Sequence, residues 1–148
     1  MSLFNKTTQR TKIARLLVLA LSACCLVSSI INGQTAARVI EVLADHDSRY
    51  KIQSQKQPVI TVKAGEQLTL RITAVKAKNR NRDGSIHGFM LLRASDRKPV
   101  EGWDFLLKPG KQEFGVTAPS AIGEYVVVCT VICGASHEQM NLRFVVEP

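Results

Sequence analysis

The chain has 148 residues, enough for one domain and an extension, and its 45% hydrophobic content is ordinary for a globular protein. Lys and Arg together number 20 and Asp and Glu 12, which gives a formal net charge of +8 at pH 7. Four of the basic residues and none of the acidic ones precede residue 37, so the remainder is only mildly basic. No basic stretch is interleaved with aromatic residues, and we therefore expect no nucleic-acid partner.

Residues 1–37 have the organisation of an export signal. Four basic residues precede an uncharged run over residues 16–31, and the segment ends in small residues. Three interpretations stay open: cleavage after Ala37, an uncleaved membrane anchor, or lipidation at Cys24, whose preceding residues are similar to a bacterial lipobox. Each interpretation makes residues 38–148 the exported domain and places it in the periplasm or on the outer face of the cytoplasmic membrane.

Strand patterns begin directly after this segment. Residues 38–43 alternate apolar and charged side chains and predict a first strand, and residues 44–57 predict a polar loop with His46 exposed to solvent. A hairpin is then predicted, which joins residues 59–62 to residues 68–75 through a turn that contains glycine. Alternation in the second of these strands predicts one buried face. That face consists of Leu68, Leu70, Ile72 and Ala74.

A basic segment follows the predicted hairpin. Residues 76–82 place four cations in seven positions and predict an exposed loop. The cations are Lys76, Lys78, Arg80 and Arg82. Two interpretations stay open, a solubilising loop or a docking patch for an anionic partner or anionic lipid headgroups. Because the loop directly precedes His87, we expect it at the same end of the domain as that histidine.

The rest of the chain is also strand-like. Further strands are predicted in residues 86–92, 102–107, 112–117, 123–129 and 141–146. Trp103 is the only tryptophan, and we expect it in the core because a large aromatic side chain usually contributes buried area. About seven short strands separated by turns, with no convincing helix after residue 37, predict an all-β fold, an antiparallel β-sandwich.

The most informative segment is the last predicted loop, which holds two thiols, an imidazole and a thioether within twelve positions. They belong to Cys129, Cys133, His137 and Met140. Thiolate and thioether ligands favour copper(I), zinc or iron–sulfur clusters, and imidazole extends the choice to copper(II). A tetrahedral zinc site completed by a distant histidine is one alternative, and a structural disulfide is another. The thioether favours copper over zinc, and a disulfide leaves the spacing of His137 and Met140 unexplained.

The spacing Cys-x3-Cys-x3-His-x2-Met, with His87 upstream, resembles the CuA domain of cytochrome c oxidase subunit II and of nitrous-oxide reductase. The resemblance covers roughly residues 59–146. It implies that the sandwich is a cupredoxin-like Greek key and that it holds two copper ions. It also implies that the thiolates of Cys129 and Cys133 each bridge both coppers.

The resemblance also assigns the remaining copper ligands. It implies that His87 and Met140 complete one copper, and that His137 and the main-chain carbonyl of Val131 complete the other. Oxidase subunits usually carry Glu at the position of Val131, where it also serves a magnesium site at the junction with subunit I. The resemblance therefore covers the copper ligands more fully than the contact with an oxidase core.

Such a ligand set leaves no open position for a substrate, so the predicted activity is electron transfer in a respiratory chain. The domain would act alone or as a component similar to cytochrome c oxidase subunit II, and by itself it would be an electron carrier. Its expected partners are cytochrome c or another redox protein, oxidase subunit I, and the membrane through the N-terminal segment. The alternatives are a copper carrier or assembly protein for a terminal oxidase, and a structural domain stabilised by zinc or a disulfide.

Overall fold

The computed structural model describes residues 36–75, 77 and 79–148, so the predicted export or anchor segment lies almost wholly outside the described residues. The described residues form nine strands and one turn of 3-10 helix, His137–Gln139. The strands are β1 (Arg38–Asp45), β2 (Arg49–Lys51), β3 (Val59–Lys63), β4 (Gln67–Ala74), β5 (His87–Arg93), β6 (Pro99–Leu107), β7 (Gly110–Thr117), β8 (Gly123–Val128) and β9 (Asn141–Glu147). In this part of the chain, no helix has both the length and the apolar character needed to cross a membrane.

The strands form two sheets, and the predicted all-β architecture is confirmed. One sheet has the order β2-β1-β4-β7 and the other β3-β9-β8-β5-β6. Strand β4 shows the predicted alternation, because every second residue is buried. Its inward residues, each at most 2% exposed, are Leu68, Leu70, Ile72 and Ala74. Successive side chains of a strand point to opposite faces, so this stripe contributes one layer of the core.

The hairpin predicted between residues 59–62 and 68–75 is wrong in its pairing. Strand β3 pairs with β9 and strand β4 with β1, both in parallel, so the two strands lie in different sheets. The turn between them contains Gly65 at a φ of 70° and crosses from one sheet to the other. Alternation in a sequence specifies which face of a strand is buried, but it does not specify the neighbouring strand. Two parallel pairs therefore occur among otherwise antiparallel ones.

Trp103 lies in the core, as predicted. Its ring meets the ring of Phe144 edge-on, with centroids 5.2 Å apart. The indole N–H donates a hydrogen bond to the carbonyl of Thr117 at 3.0 Å, so the polar atom of this buried side chain is satisfied. This packing joins β6 to β9 and leaves the tryptophan with a structural role.

Candidate metal centre

The neighbouring strands β5 and β8 bring the upstream ligand His87 and the downstream ligand Cys129 together at one end of a sheet. Strand β5 runs antiparallel to β8, with Met90 opposite Val128. The start of β5, at His87, therefore lies beside the end of β8, which Cys129 follows directly. The loop that connects β8 to β9 then folds over this end of the sheet and finishes at Met140. The Met140 carbonyl accepts a hydrogen bond from the Cys129 N–H at 3.2 Å.

Four of the predicted ligands form a compact buried group, which we call the donor cluster: His87, Cys129, Cys133 and Met140. One ligand atom from each of His87, Cys129 and Cys133 lies within 4.8 Å of the others. The Sγ atom of Cys133 is 3.7 Å from the Sγ of Cys129 and 3.7 Å from the Sδ of Met140. Both cysteines are free thiols, and a disulfide would need about 2.05 Å between the sulfur atoms.

The loop between the two thiols directs a carbonyl towards them. The Cys129 thiol donates to the carbonyl oxygen of Val131 at 3.1 Å, so the predicted main-chain ligand lies beside the cluster. The side chain of Val131 is buried, whereas that of Ile132 is 65% exposed. The loop therefore alternates between the interior and the surface, and Cys133 points inward again.

His87 is held in the form that a metal ligand needs. The residue is fully buried, and its Nε2 atom lies 3.3 Å from the carbonyl of Val75, which accepts the ring proton. The Nδ1 atom is buried without a hydrogen-bond partner among the described residues. Burial lowers the pKa of His87, which favours the neutral imidazole. A neutral ring with one fixed N–H and one free lone pair suits a metal ion.

His137 stands apart from the donor cluster. It begins the 3-10 turn and is half-buried, and the ligand atoms that lie within 4.8 Å of one another do not include it. Its Nδ1 atom is buried and, like that of His87, has no partner in the described part of the chain. An unpaired buried nitrogen costs free energy unless something binds it. An imidazole with an unpaired nitrogen is a suitable copper donor in both histidines, but only His87 lies within the donor cluster.

Burial favours the protonated form of the Cys129 thiol in the metal-free protein. Burial raises the pKa of Cys129 to about 11, while the Gly88 N–H and the Val131 backbone act in the opposite direction. A cation is therefore required to stabilise the thiolate in this environment, and binding of a soft metal would release protons. The Gly88 N–H already lies 3.3 Å from the Cys129 sulfur, where it can donate to a thiolate.

Gly88 has room for no side chain. A Cβ atom at this position would lie 2.1 Å from the Oγ1 atom and 2.6 Å from the backbone nitrogen of Thr130. The glycine thus permits β5 to approach Thr130 closely, within the loop that connects β8 to β9 (residues 129–140, here called the metal loop). This approach brings the Gly88 N–H to the sulfur of Cys129. The sequence pattern indicated His87 but not the glycine that follows it.

Ser48 and Tyr50 were not expected at the site from the sequence. Both lie in the segment predicted to be a polar loop, residues 44–57, and both are buried. The Oγ atom of Ser48 is 3.6 Å from the Cys133 sulfur, and the phenol of Tyr50 donates to the carbonyl of Gly88. Burial and the adjacent thiols raise the pKa of Tyr50, so the phenol keeps its proton. The one available signal was an aromatic residue inside a polar segment.

The described residues of the basic segment approach the donor cluster at Asn79, as predicted. The N–H of Asn79 donates to the carbonyl of Cys133 at 3.4 Å, and the exposed Arg80 follows it directly. Lys76 and Lys78 lie outside the described residues. Ala77 between them is buried, so the segment is not purely a solvated loop.

His46 is exposed to solvent, as predicted. It contacts Asp45, whose lowered pKa predicts that the stability of the protein depends on pH. Lys51 and the backbone and ring of His46 donate to Asp45, and the Lys51 bond is the largest cause that lowers its pKa to about 2. The carboxylate therefore adds stability above its ordinary pKa of 3.8, and this contribution is lost as the pH falls through about 2. We expect Asp45→Asn to lower the free energy of unfolding at pH 6 by roughly 1–2 kcal/mol.

Urea unfolding of the metal-free protein between pH 6 and pH 2 checks this expectation. The difference between wild type and Asp45→Asn should shrink as the pH falls. Asp104→Asn is the matched control, because Asp104 is exposed and makes no ion pair with the described residues. A difference that is constant over the whole range would contradict the assigned role of the Asp45 charge.

Comparison with family models finds no match, and comparison with curated proteins finds none either. Among solved structures, auracyanin A, a "blue" copper protein from the green thermophilic photosynthetic bacterium Chloroflexus aurantiacus, is 20% identical with a TM-score of 0.53. That match covers 74% of this chain and 98% of auracyanin A. Auracyanin B is 18% identical with a TM-score of 0.51, over 76% of this chain and 90% of its own.

A chain from a heme-copper terminal oxidase dimer is also similar. It is 15% identical with a TM-score of 0.50, and the match covers 95% of this chain and 99% of that one. Identities this low establish the fold and not the function. The predicted cupredoxin-like sandwich is therefore confirmed.

Proposed function

We propose that residues 38–148 form an exported copper domain that transfers electrons, with two copper ions bound as in a CuA centre. The observation that carries this proposal is the donor cluster, in which two free thiols, an imidazole and a thioether meet in the core. When bound, the two coppers would accept and return one electron at a time. The protein's part is to hold the ligands in place in both oxidation states.

The proposed ligand assignment follows the resemblance to CuA domains. Cys129 and Cys133 would bridge the coppers, with His87 and Met140 on one ion and His137 and the Val131 carbonyl on the other. The two sulfurs lie 3.7 Å apart, close enough to share a metal, and Met140 is as close to Cys133. A zinc site has little use for this thioether, because zinc prefers thiolate, imidazole and carboxylate ligands.

Burial favours electron transfer over binding of a substrate. The donor cluster is almost inaccessible to solvent, and a β-sandwich holds its ligands on two paired strands and one loop. Such a scaffold limits ligand movement when the charge of the centre changes, and it offers no open position to a reactant. By itself the domain would thus be an electron carrier.

Residues 1–37 would export the domain and attach it to the membrane in the anchored or lipidated form. The domain would work at the outer face of the cytoplasmic membrane or in the periplasm. Cytochrome c or another redox protein would donate electrons there, and subunit I of an oxidase would be one acceptor. The fold shared with a chain of a heme-copper terminal oxidase dimer supports this arrangement.

A copper carrier that supplies a terminal oxidase is the second candidate. A carrier must release its ion, which favours exposed sites with few ligands. Here Cys133 is 1% exposed and Cys129 is 7% exposed, so release would require the metal loop to open. Burial of the thiols therefore favours electron transfer over copper delivery.

Metal analysis of the copper-loaded domain tests the first step of the proposal. We expect two coppers per chain that zinc does not displace. One copper per chain, or retention of zinc against copper, contradicts the two-copper centre. Stopped-flow reduction of the oxidised copper centre by a reduced cytochrome c, measured beside copper transfer to a chelator, then separates the two candidates. Copper loss within seconds together with slow electron exchange would establish the carrier.

The salt dependence of the electron-transfer rate tests the basic segment. Screening acts over about 8 Å at physiological ionic strength, so long-range attraction should weaken as salt is added. With an anionic partner, we expect the rate to fall with salt in the wild type and to fall less steeply in Arg80→Gln/Arg82→Gln. Arg97, exposed in the turn between β5 and β6, supplies the control Arg97→Gln. Equal salt dependence in all three proteins would leave the segment a solubilising role.

A further inference from the structure

The hairpin formed by β1 and β2 contributes two side chains to the surroundings of the donor cluster, Ser48 from its turn and Tyr50 from β2. Ser48 contacts Cys133, with 3.6 Å between Oγ and Sγ, and Tyr50 donates to the carbonyl of Gly88. Gly88 in turn places its N–H 3.3 Å from the Cys129 sulfur. Each of the two thiols therefore has a contact that depends on this one hairpin. The predicted ligand set includes no residue of the hairpin.

The backbone of Ser48 is held in an unusual conformation. Its φ is 59°, a left-handed value that few residues other than glycine adopt. Its N–H donates to the Asp45 carbonyl at 3.1 Å, and a Cβ on Gly134 would lie 3.2 Å from its hydroxyl oxygen. The serine is thus fixed on one side by its own turn and on the other by the metal loop. A buried hydroxyl in this position is expected to have a specific partner.

We propose that Ser48 is a positioning residue of the metal centre, whose hydroxyl donates a hydrogen bond to the Cys133 thiolate and thereby raises the reduction potential. Tyr50 supports the other thiolate by fixing Gly88. The proposal rests on the proposed function, because it requires copper on both sulfurs. A copper-bound thiolate carries no proton, so in the pair Ser48–Cys133 only the serine can then be the donor.

The direction of the effect follows from charge. A hydrogen bond to sulfur withdraws electron density from the ligand, which stabilises the electron-rich reduced centre more than the oxidised one. Hydrogen bonding around the cysteine sulfur is one of the ways in which proteins adjust the potential of copper centres. Loss of the Ser48 hydroxyl should therefore lower the potential without removing a copper ligand.

Ser48→Ala and Ser48→Gly, both in the full copper-loaded protein, test the proposal. Alanine removes the hydroxyl and glycine also relieves the left-handed backbone, so agreement between the two variants assigns the effect to the hydroxyl. We expect both to keep two coppers and to shift the electron-exchange equilibrium with a reference couple roughly threefold to tenfold towards the oxidised protein. Tenfold corresponds to about 59 mV for one electron. The thiolate-to-copper absorption bands should shift as well.

Ser54→Ala is the matched control. Ser54 is an exposed serine with a φ of 66°, so its replacement makes the same backbone change away from the thiols. The reduction potential of Ser54→Ala should equal that of the wild type. Two coppers in the wild type, together with equal potentials in the Ser48 and Ser54 variants, would overturn this inference and leave the proposed function intact. A wild type that binds no copper would overturn both.

Tyr50→Phe tests the second part in the same measurements. Its control is Tyr125→Phe, because Tyr125 is also a buried phenol that donates to a backbone carbonyl, that of Ala121 at 2.7 Å. We expect the Tyr50 variant alone to lower the potential, since Gly88 loses the contact that fixes it. Equal potentials in the two variants would refute the role of Tyr50.

Discussion

Replacement of either Cys129 or Cys133 by serine is expected to abolish the proposed two-copper centre. A bridging thiolate binds both metals, and a serine hydroxyl neither loses its proton at neutral pH nor provides the soft donor atom that copper prefers. Copper should fall from two per chain to one or none, and the absorption spectrum of the two-copper centre should be lost. Metal analysis and visible absorption of each purified variant measure this result.

Met140→Leu is the contrasting variant. Its thioether is a weak ligand, so we expect two coppers to remain at an altered potential.

The serine variant at Cys133 needs a control for folding. Because Cys133 is buried, a serine there also leaves a polar group in an apolar site, at a cost of about 1–3 kcal/mol. Cys133→Ala avoids this cost and separates loss of the ligand from loss of the fold. Two coppers in folded Cys133→Ala would refute the bridging role.

Gly88→Ala is expected to have the largest effect among substitutions outside the ligand set. The added Cβ would lie 2.6 Å from the backbone nitrogen of Thr130, and a rotation of the Thr130 side chain cannot relieve a clash with backbone. Strands β5 and β8 must then separate where the imidazole and the first thiol meet. We expect the free energy of unfolding to fall by roughly 2–4 kcal/mol and copper affinity to fall with it.

Urea unfolding of the metal-free variant and copper titration measure the two effects. Gly115→Ala is the matched control, because a Cβ on this strand glycine meets no atom within 4 Å. Alanine is better than glycine inside a strand by about 0.5–1 kcal/mol, so the control should be as stable as the wild type or more stable. Similar losses in both variants would contradict the close approach of Gly88 to Thr130.

The strands were largely predictable from the sequence because alternation of apolar residues is a local signal. Strand β4 is the clearest case, since each residue expected in the core is buried. The partners of β3 and β4 were not predictable, because pairing depends on contacts with β9 and β1 that lie far away in the chain. The hairpin prediction failed for this reason.

The candidate site was likewise only partly predictable from the sequence. The donors of the metal loop are close in sequence, and their spacing alone indicates soft-metal chemistry. Ser48 contacts Cys133 across 85 positions, and nothing in the polar composition of its segment indicated this contact. The role of Gly88 was not predictable either. It depends on the close approach of the Thr130 backbone, which the sequence does not show.

The wide separation of these contacts affects the order in which the protein folds and acquires metal. Cys129, Cys133, His137 and Met140 lie within twelve residues, so an unfolded chain could already chelate copper with them. His87 and Ser48 come close to these ligands only after strands that are distant in sequence have paired, and such pairing is slow. Metal bound to the unfolded chain reduces the stabilisation that binding gives to the native state. An exported chain would therefore gain most from copper that reaches it after folding, when all the ligands are present together.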